Sequence, residues 1–149
     1  MRRYSVTLSV LAAAFLARVV GQVLVAFFDV EFLPPMEAWY SGLLPYPLLL
    51  PTQIAILALQ FEISRELWIG AGPLARRNAR LGEGLKWFSL VYFLFMVARG
   101  LWFGLSIPVV FHWMLAAYLY VLSRYHRAAI TKTPSEGASV IERRTTRAR

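Results

Sequence analysis

The longest apolar stretch of the chain limits what it can fold into more than any other feature. Residues 87–122 form a 36-residue tract with one formally charged residue, Arg99, and one interruption, the segment GLSIP at residues 104–108. A helix that crosses a membrane needs about 20 apolar residues, so the tract is long enough for two. The glycine and the proline of GLSIP both interrupt helices. The tract therefore predicts two spanning helices joined by a tight turn near Ser106.

Two further apolar runs precede this tract, at residues 5–28 and 43–61. The whole sequence has 58% hydrophobic and 16% charged residues, whereas soluble domains average about 25% charged residues. The first run is longer than the roughly 7–15 apolar residues of a secretory signal, so we expect it to remain as a helix. The sequence thus predicts an all-α, integral membrane four-helix bundle in residues 1–127. Its spans are expected at residues 5–28, 43–61, 87–105 and 107–125.

Charge is distributed unequally among the segments that flank these spans. The first loop contributes three acids, Asp29, Glu31 and Glu37, and two aromatic residues, Trp39 and Tyr40, expected at the outer surface. Basic residues concentrate in the other three segments: Arg2, Arg3, Arg65, Arg76, Arg77, Arg80, Lys86, Arg124, Arg127, Lys132, Arg143, Arg144, Arg147 and Arg149. Cytoplasmic segments carry the excess of basic residues, so both termini are predicted to be cytoplasmic. The small, compact chain favours a bacterial inner membrane.

Two basic segments lie outside the expected spans. Residues 62–86 are predicted to form a cytoplasmic loop, with GPLARRNARLGEG as a short basic helix at the membrane surface. Residues 128–149 are polar and unpatterned, which predicts a disordered cytoplasmic tail. Each Lys or Arg near anionic lipid contributes about 1 kcal/mol to surface binding, which explains the net charge of +8 without nucleic acid. We therefore expect membrane lipid as a partner, with a second copy or a membrane complex as a further one.

Polar side chains occur at similar depths in all four spans. With a helical rise of about 1.5 Å per residue, Arg99 and His112 lie about 9–10 Å below the turn between the last two spans. Gln22 falls in the same layer, and Arg18 lies one turn deeper on the same helix face. Gln53, in the second span, reaches about the depth of Arg18. These residues are expected to form a polar cluster in the outer half of the membrane.

Ionisable side chains inside a membrane are rare and usually face protein or a watery cavity. No acidic residue lies within the expected spans, which leaves two interpretations of Arg18 and Arg99. In the first, an acid of the first loop folds down to pair with Arg99, while Arg18 bonds to Gln53 and to backbone carbonyls. In the second, the two arginines bind an anion, such as a lipid phosphate or a small carboxylate, through bidentate hydrogen bonds. Either version predicts that Arg99 faces His112 across the last two spans.

Three prolines, Pro45, Pro47 and Pro51, predict a break at the start of the second span. Pro47 and Pro51 remove backbone donors, and backbone left open in this way must face protein or water rather than lipid. The opening would form part of a ligand site, or the prolines would only kink the helix. In the third span, Gly100 and Gly104 form a G-x-x-x-G pair, which favours close helix packing.

Residues that carry catalysis or bind metals are scarce. There are no cysteines and only two histidines, His112 and His126, so a zinc site cannot be completed. The two histidines share one face of the last span, but each haem would need a second axial ligand from another chain. No phosphate loop or catalytic triad is present. We expect no metal and no cofactor, and the sequence leans away from an enzyme.

The sequence supports three hypotheses of function from different classes. The first is binding or transport of a small anionic or amphiphilic, lipid-like ligand at the polar cluster: Arg18, Gln22, Gln53, Arg99 and His112. The second is a non-catalytic structural or accessory subunit of a membrane complex, in which the same residues only fix helix packing. The third is a haem-binding electron carrier. The first has the most support, because intramembrane ionisable residues are generally functional.

Overall fold

The protein is helical throughout the part of the chain that the structure describes. The computed structural model describes residues 2–28, 30–39 and 45–128. Five helices occur in these ranges: α1 (Arg2–Phe28), α2 (Met36–Trp39), α3 (Tyr46–Ile69), α4 (Ala79–Phe103) and α5 (Ile107–Arg127). All except α2 are long and apolar enough to cross a membrane. The predicted all-helical fold with four helices of spanning length is therefore confirmed, while the predicted tail lies outside the described residues from residue 129 onward.

The reversal between α4 and α5 is encoded locally by GLSIP. α4 ends at Phe103, and Gly104 follows with a φ of 89°, a conformation that favours glycine because it has no Cβ. Ser106 is extended, and Pro108 lies in the first turn of α5, where the missing proline N–H costs no helical hydrogen bond. The turn falls where the long apolar tract predicts it.

The basic segment between α3 and α4 is more helical than the sequence suggests. α3 continues to Ile69 and ends at Gly70, whose N–H donates to the Glu66 carbonyl oxygen at 2.8 Å. α4 begins after Asn78, whose side-chain oxygen accepts hydrogen bonds from two N–H groups of the first turn. The connection is therefore residues 70–78. The stretch predicted as a short surface helix is divided between this connection and the first turns of α4.

The long helices pack in the order α3, α1, α5, α4. α1 packs against both α3 and α5, and α4 packs against α5. Within the described residues, α3 and α4 contact each other far less than do the pairs α1–α3, α1–α5 and α4–α5. The bundle is therefore open between these two helices.

The best-packed part of the bundle lies where α1 begins and α3 and α5 finish, which we call the basic end. One buried apolar cluster forms there from Leu8, Ile63, Leu67, Tyr118, Leu122 and Tyr125. Tyr4 meets Tyr125 edge to face with ring centroids 5.8 Å apart, and Ser5 Oγ donates to the Ser64 carbonyl oxygen at 3.3 Å. In the most apolar stretch of each span only 17–33% of the residues are buried, as expected for helices whose outer faces contact lipid.

Candidate functional site

Gln22 of α1 and Gln53 of α3 meet in the interior of the bundle. Gln53 Nε2 donates a hydrogen bond to Gln22 Oε1 at 3.1 Å, and the two residues are 4% and 1% exposed, respectively. The other atom of each amide, Gln22 Nε2 and Gln53 Oε1, is buried without a hydrogen-bond partner. The pair therefore joins α1 to α3 through one hydrogen bond and leaves one donor and one acceptor unused.

Arg18 lies one helical turn from Gln22 and is also buried. Its Nη2 donates to the Trp39 carbonyl oxygen at 3.2 Å, and its guanidinium carbon lies 5.8 Å from the centre of the Phe111 ring, within cation–π range. Trp39 is 8% exposed and covers Gly21, where an added Cβ would lie 2.8 Å from the indole. The short helix α2 thus buries Trp39 against α1.

His112 pairs with a residue that the sequence analysis does not single out. Its Nδ1 lies 2.7 Å from the Tyr92 hydroxyl oxygen, and the two rings meet edge to face with centroids 5.9 Å apart. Among the described residues, the hydrogen-bond partner of His112 is Tyr92 rather than Arg99.

Arg99 is partly buried near the turn between α4 and α5. Its guanidinium carbon lies 5.5 Å from the centre of the Phe103 ring. Glu31 and Glu37 of the first loop are exposed, and no ion pair between described residues includes Arg99. The third acid of that loop, Asp29, lies outside the described residues.

α3 begins directly after Pro45 and continues through Pro47 and Pro51, the other two prolines that predict a break. Pro45 precedes the first turn, and its carbonyl oxygen accepts from the Leu48 N–H at 2.9 Å. Pro47 lies in the first turn, and Pro51 lies inside the helix. Along its described length α3 is one continuous helix, so the prolines do not divide it into two half-helices.

The two glycines of the G-x-x-x-G pair have different surroundings. Gly100 is buried, and an added Cβ would lie 3.2 Å from Val109 Cγ1, so α4 and α5 approach closely at this point. Gly104 has no heavy atom within 4 Å of its Cβ position. Gly100 therefore lies at the helix interface, and Gly104 lies in the turn.

A cleft of about 830 Å³ opens between α3 and α4 and is also lined by α5; we call it the α3–α4 cleft. Most of its wall is apolar, from Ile56, Leu59, Ile63, Leu85, Leu119 and Leu122. Gln60 lines it as well; this residue is 3% exposed, and its Oε1 has no hydrogen-bond partner. Pockets for small ligands measure about 300–1,000 Å³ and combine an apolar lining with a few polar groups. The α3–α4 cleft has both properties.

The basic end of the α3–α4 cleft is formed by the 70–78 connection. Arg76, Arg77 and Asn78 line the cleft there, together with His126 of α5, and none of its described lining residues is acidic. The Asn78 N–H donates to His126 Nδ1 at 3.2 Å, which holds the connection against α5. The cleft therefore has an apolar body and a cationic end.

A second groove, of about 900 Å³, lies between α1 and α3. Its α1 side is formed mainly by small residues, among them Ser9, Ala12 and Ala13. Its charged lining residue, Arg65, is ion-paired with Glu62 on the same helix. The charged side chain that lines this groove is therefore already paired within the described residues.

Metal-ligating residues do not cluster in the described part of the chain. Within it, no group of three or more His, Cys, Asp or Glu side chains could hold a metal ion. His112 and His126 each use Nδ1 in a hydrogen bond to the protein, with Tyr92 and with Asn78. The haem hypothesis remains a prediction from the sequence.

Comparison with known proteins gives no match to a protein-family model, to a curated protein or to a solved structure. The assignment of function therefore rests on the geometry of this chain.

Three residues that matter at these sites, Gln60, Tyr92 and Trp39, are not among the predicted site residues. Gln60 lies in the second expected span, and the reasoning that selects Gln53 would also have selected it. Tyr92 and Trp39 are aromatic residues in or beside apolar segments, where such residues are common. Their partners become visible only once the helices are packed.

Proposed function

We propose that this chain is an integral membrane protein that binds a lipid-like amphiphile in the α3–α4 cleft. The cleft itself carries the proposal: it is an apolar space of about 830 Å³ between two helices that make little contact with each other. An amphiphile can enter such a space sideways from the bilayer. Its hydrocarbon chains would then contact the apolar side chains of α3, α4 and α5 that line the cleft.

We also propose that the basic end lies at the cytoplasmic surface of a bacterial inner membrane, with both termini cytoplasmic. Tyr125 connects the three basic segments at this end: its ring meets Tyr4 of α1, and its hydroxyl donates to the Ala75 carbonyl oxygen at 2.7 Å. The described arginines of these segments therefore lie at one end of the molecule. An excess of arginine and lysine marks the cytoplasmic side of membrane proteins.

The polar residues of the opposite half support a second, structural role. The Gln22–Gln53 and Tyr92–His112 pairs each join two different helices, and such bonds fix how membrane helices pack. This favours the hypothesis of a structural or accessory subunit for that half of the molecule. Binding of an anion at the polar cluster, with Arg99 as its main contact, stays a prediction. The Arg99→Leu experiment below tests it.

Filling the α3–α4 cleft tests the proposed function. We expect wild-type protein, purified from membranes in mild detergent, to retain lipid detectable by native mass spectrometry. Leu119→Trp adds bulk inside the cleft and should reduce that retention at least about tenfold, because an overfilled pocket excludes its ligand. Leu94→Trp is the matched control, since Leu94 is 64% exposed on α4 and should leave retention unchanged. Equal retention by all three proteins would contradict the proposal.

Arg99→Leu separates the two candidate sites. Arg99 does not line the α3–α4 cleft, so this variant should retain the amphiphile as the wild type does. It should also stay folded, because Arg99 forms no ion pair with a described residue and its removal therefore leaves no described acid buried without a partner. Loss of the retained lipid in Arg99→Leu, with normal folding, would place the ligand at the polar cluster instead of the cleft.

A further inference from the structure

The arginines at the basic end of the α3–α4 cleft lack a counterion among the described residues. Arg77 Nη1 donates to the Ala128 carbonyl oxygen at 3.3 Å, and its guanidinium carbon lies 5.0 Å from the centre of the Tyr125 ring. Its Nε is buried and has no hydrogen-bond partner. No ion pair between described residues includes Arg76 or Arg77. A buried guanidinium nitrogen without an acceptor is costly, and a ligand oxygen would remove that cost.

The nearest buried acid is already used by the backbone. Glu66 is 7% exposed, and its Oε2 accepts hydrogen bonds from the N–H groups of Leu74 and Ala75 at 2.6 and 3.1 Å. Gly72 allows this approach, because a Cβ at residue 72 would collide with the Glu66 carboxylate. The φ of Gly72 is 120°, which also favours glycine. Glu66 therefore shapes the connection and does not neutralise the arginines.

The connection is also tied to α5, which fixes where its arginines lie. The Tyr125 hydroxyl donates to the Ala75 carbonyl oxygen at 2.7 Å, and the Asn78 N–H donates to His126 Nδ1 at 3.2 Å. Arg76 and Arg77 lie between these two tethers. Their backbone is thus positioned before any ligand arrives, which lowers the entropic cost of binding.

We propose that Arg76 and Arg77 bind the phosphate of an anionic membrane lipid whose chains lie along the apolar wall of the α3–α4 cleft. This inference rests on the proposed function and adds the class of headgroup. Guanidinium groups match phosphate oxygens in bidentate geometry, and basic pockets between spanning helices on the cytoplasmic side bind anionic headgroups. The continuity between the cationic end and the apolar wall selects a lipid phosphate over a free anion, which would use only the arginines.

The test compares two lipids with identical chains and different headgroup charge. Wild-type protein is delipidated in detergent and then offered phosphatidylglycerol or phosphatidylcholine, and bound lipid is counted by native mass spectrometry. We expect phosphatidylglycerol to be retained about thirtyfold more strongly, because its net negative headgroup is attracted by both arginines whereas the headgroup of phosphatidylcholine is neutral overall. The double variant Arg76→Gln/Arg77→Gln should bring the two lipids to parity.

Arg80→Gln is the matched control for charge. Arg80 is exposed on the first turn of α4 and does not line the cleft, so its removal lowers the net charge at the same end without touching the site. We expect this variant to keep the wild-type preference. Arg76→Gln alone should lose part of the preference and, because Arg76 is exposed, should leave folding intact by circular dichroism.

The other possible results of these lipid-binding measurements each contradict a different claim. Equal retention of both lipids by the wild type would refute the inference of an anionic headgroup, because both headgroups carry a phosphate and differ only in net charge, and it would leave the proposed function standing. Retention of neither lipid would refute both. Displacement of phosphatidylglycerol by millimolar inorganic phosphate, with phosphate binding lost in Arg76→Gln/Arg77→Gln, would show a free-anion site and refute the lipid assignment. A preference lost equally in Arg80→Gln would reduce the effect to general surface charge.

Discussion

At the scale of single residues, the clearest determinant of helix packing is the amide pair Gln22–Gln53. Each residue is almost completely buried, and a single hydrogen bond connects them. Polar bonds between membrane helices average about 0.6 kcal/mol and reach about 1.7 kcal/mol. The pair therefore contributes modestly to stability. Its larger effect is on alignment, because any sliding of α3 along α1 would leave both amides without a partner.

The amide pair predicts unequal effects of single and double substitution. Gln22→Leu should lower the free energy of unfolding by about 1–2 kcal/mol, because it strands the amide of Gln53 in an apolar interior. In Gln22→Leu/Gln53→Leu both polar groups are gone, so most of that loss should be recovered. Unfolding in detergent followed by circular dichroism measures both. Losses that simply add in the double variant would show that the two amides act independently.

At the scale of helices, the prolines of α3 and the ends of α3 and α4 are the informative features. The structure keeps α3 continuous across Pro51, and the Thr52 hydroxyl donates to the Leu48 carbonyl oxygen at 2.8 Å. The carbonyl that loses its helical donor is that of Pro47, four residues before Pro51. The chain nevertheless stays helical through this turn.

Pro51→Ala should separate a kink from a ligand site. The alanine N–H can restore the helical bond to the Pro47 carbonyl oxygen, so the unfolding free energy should stay the same or rise by up to about 3 kcal/mol. Pro51 is exposed and does not line the α3–α4 cleft, so lipid retention should not change. A stable Pro51→Ala protein that no longer retains lipid would support the alternative in which the prolines open a binding site.

Helix existence could be predicted from apolar length, but helix ends could not. The four helices of spanning length follow from runs of about 20 apolar residues, and the turn after Phe103 follows from GLSIP. Helix α2 has only four residues, too few to give a periodic pattern. The extra turns of α3 and α4 depend on Gly70 and on the cap at Asn78. Gly70 and Asn78 are visible in the sequence, but a prediction of the spans that only counts apolar residues does not use them.

At the scale of the whole molecule, the order of the helices was beyond the sequence. Each span is apolar on most of its surface, so no face indicates which neighbour it contacts. Helical depth predicts that Arg18, Gln22, Gln53, Arg99 and His112 lie in one region, because depth depends only on helical rise, and their grouping as a site stays a prediction. It cannot predict that Tyr92 becomes the partner of His112, or that α3 and α4 stand apart to leave a cleft. Those features depend on packing.

Orientation is a property of the whole molecule and has its own test. Reporter fusions after Arg127 should give a cytoplasmic signal, because the basic segments share one end and that end is expected inside. Fusions within residues 31–39 should give an external signal. A cytoplasmic signal from residues 31–39 would reverse the orientation and place the α3–α4 cleft toward the outer leaflet.

The central claim, that an amphiphile occupies the α3–α4 cleft, is tested most directly by photocrosslinking in a bilayer. Wild-type protein is reconstituted with a phosphatidylglycerol that carries a photoreactive group on one acyl chain, and adducts are mapped by mass spectrometry. The account predicts adducts concentrated on Leu59 and Ile63 of α3 and on Leu119 and Leu122 of α5, and their loss in Leu119→Trp. Adducts spread along the exposed face of α4, unchanged by Leu119→Trp, would contradict it.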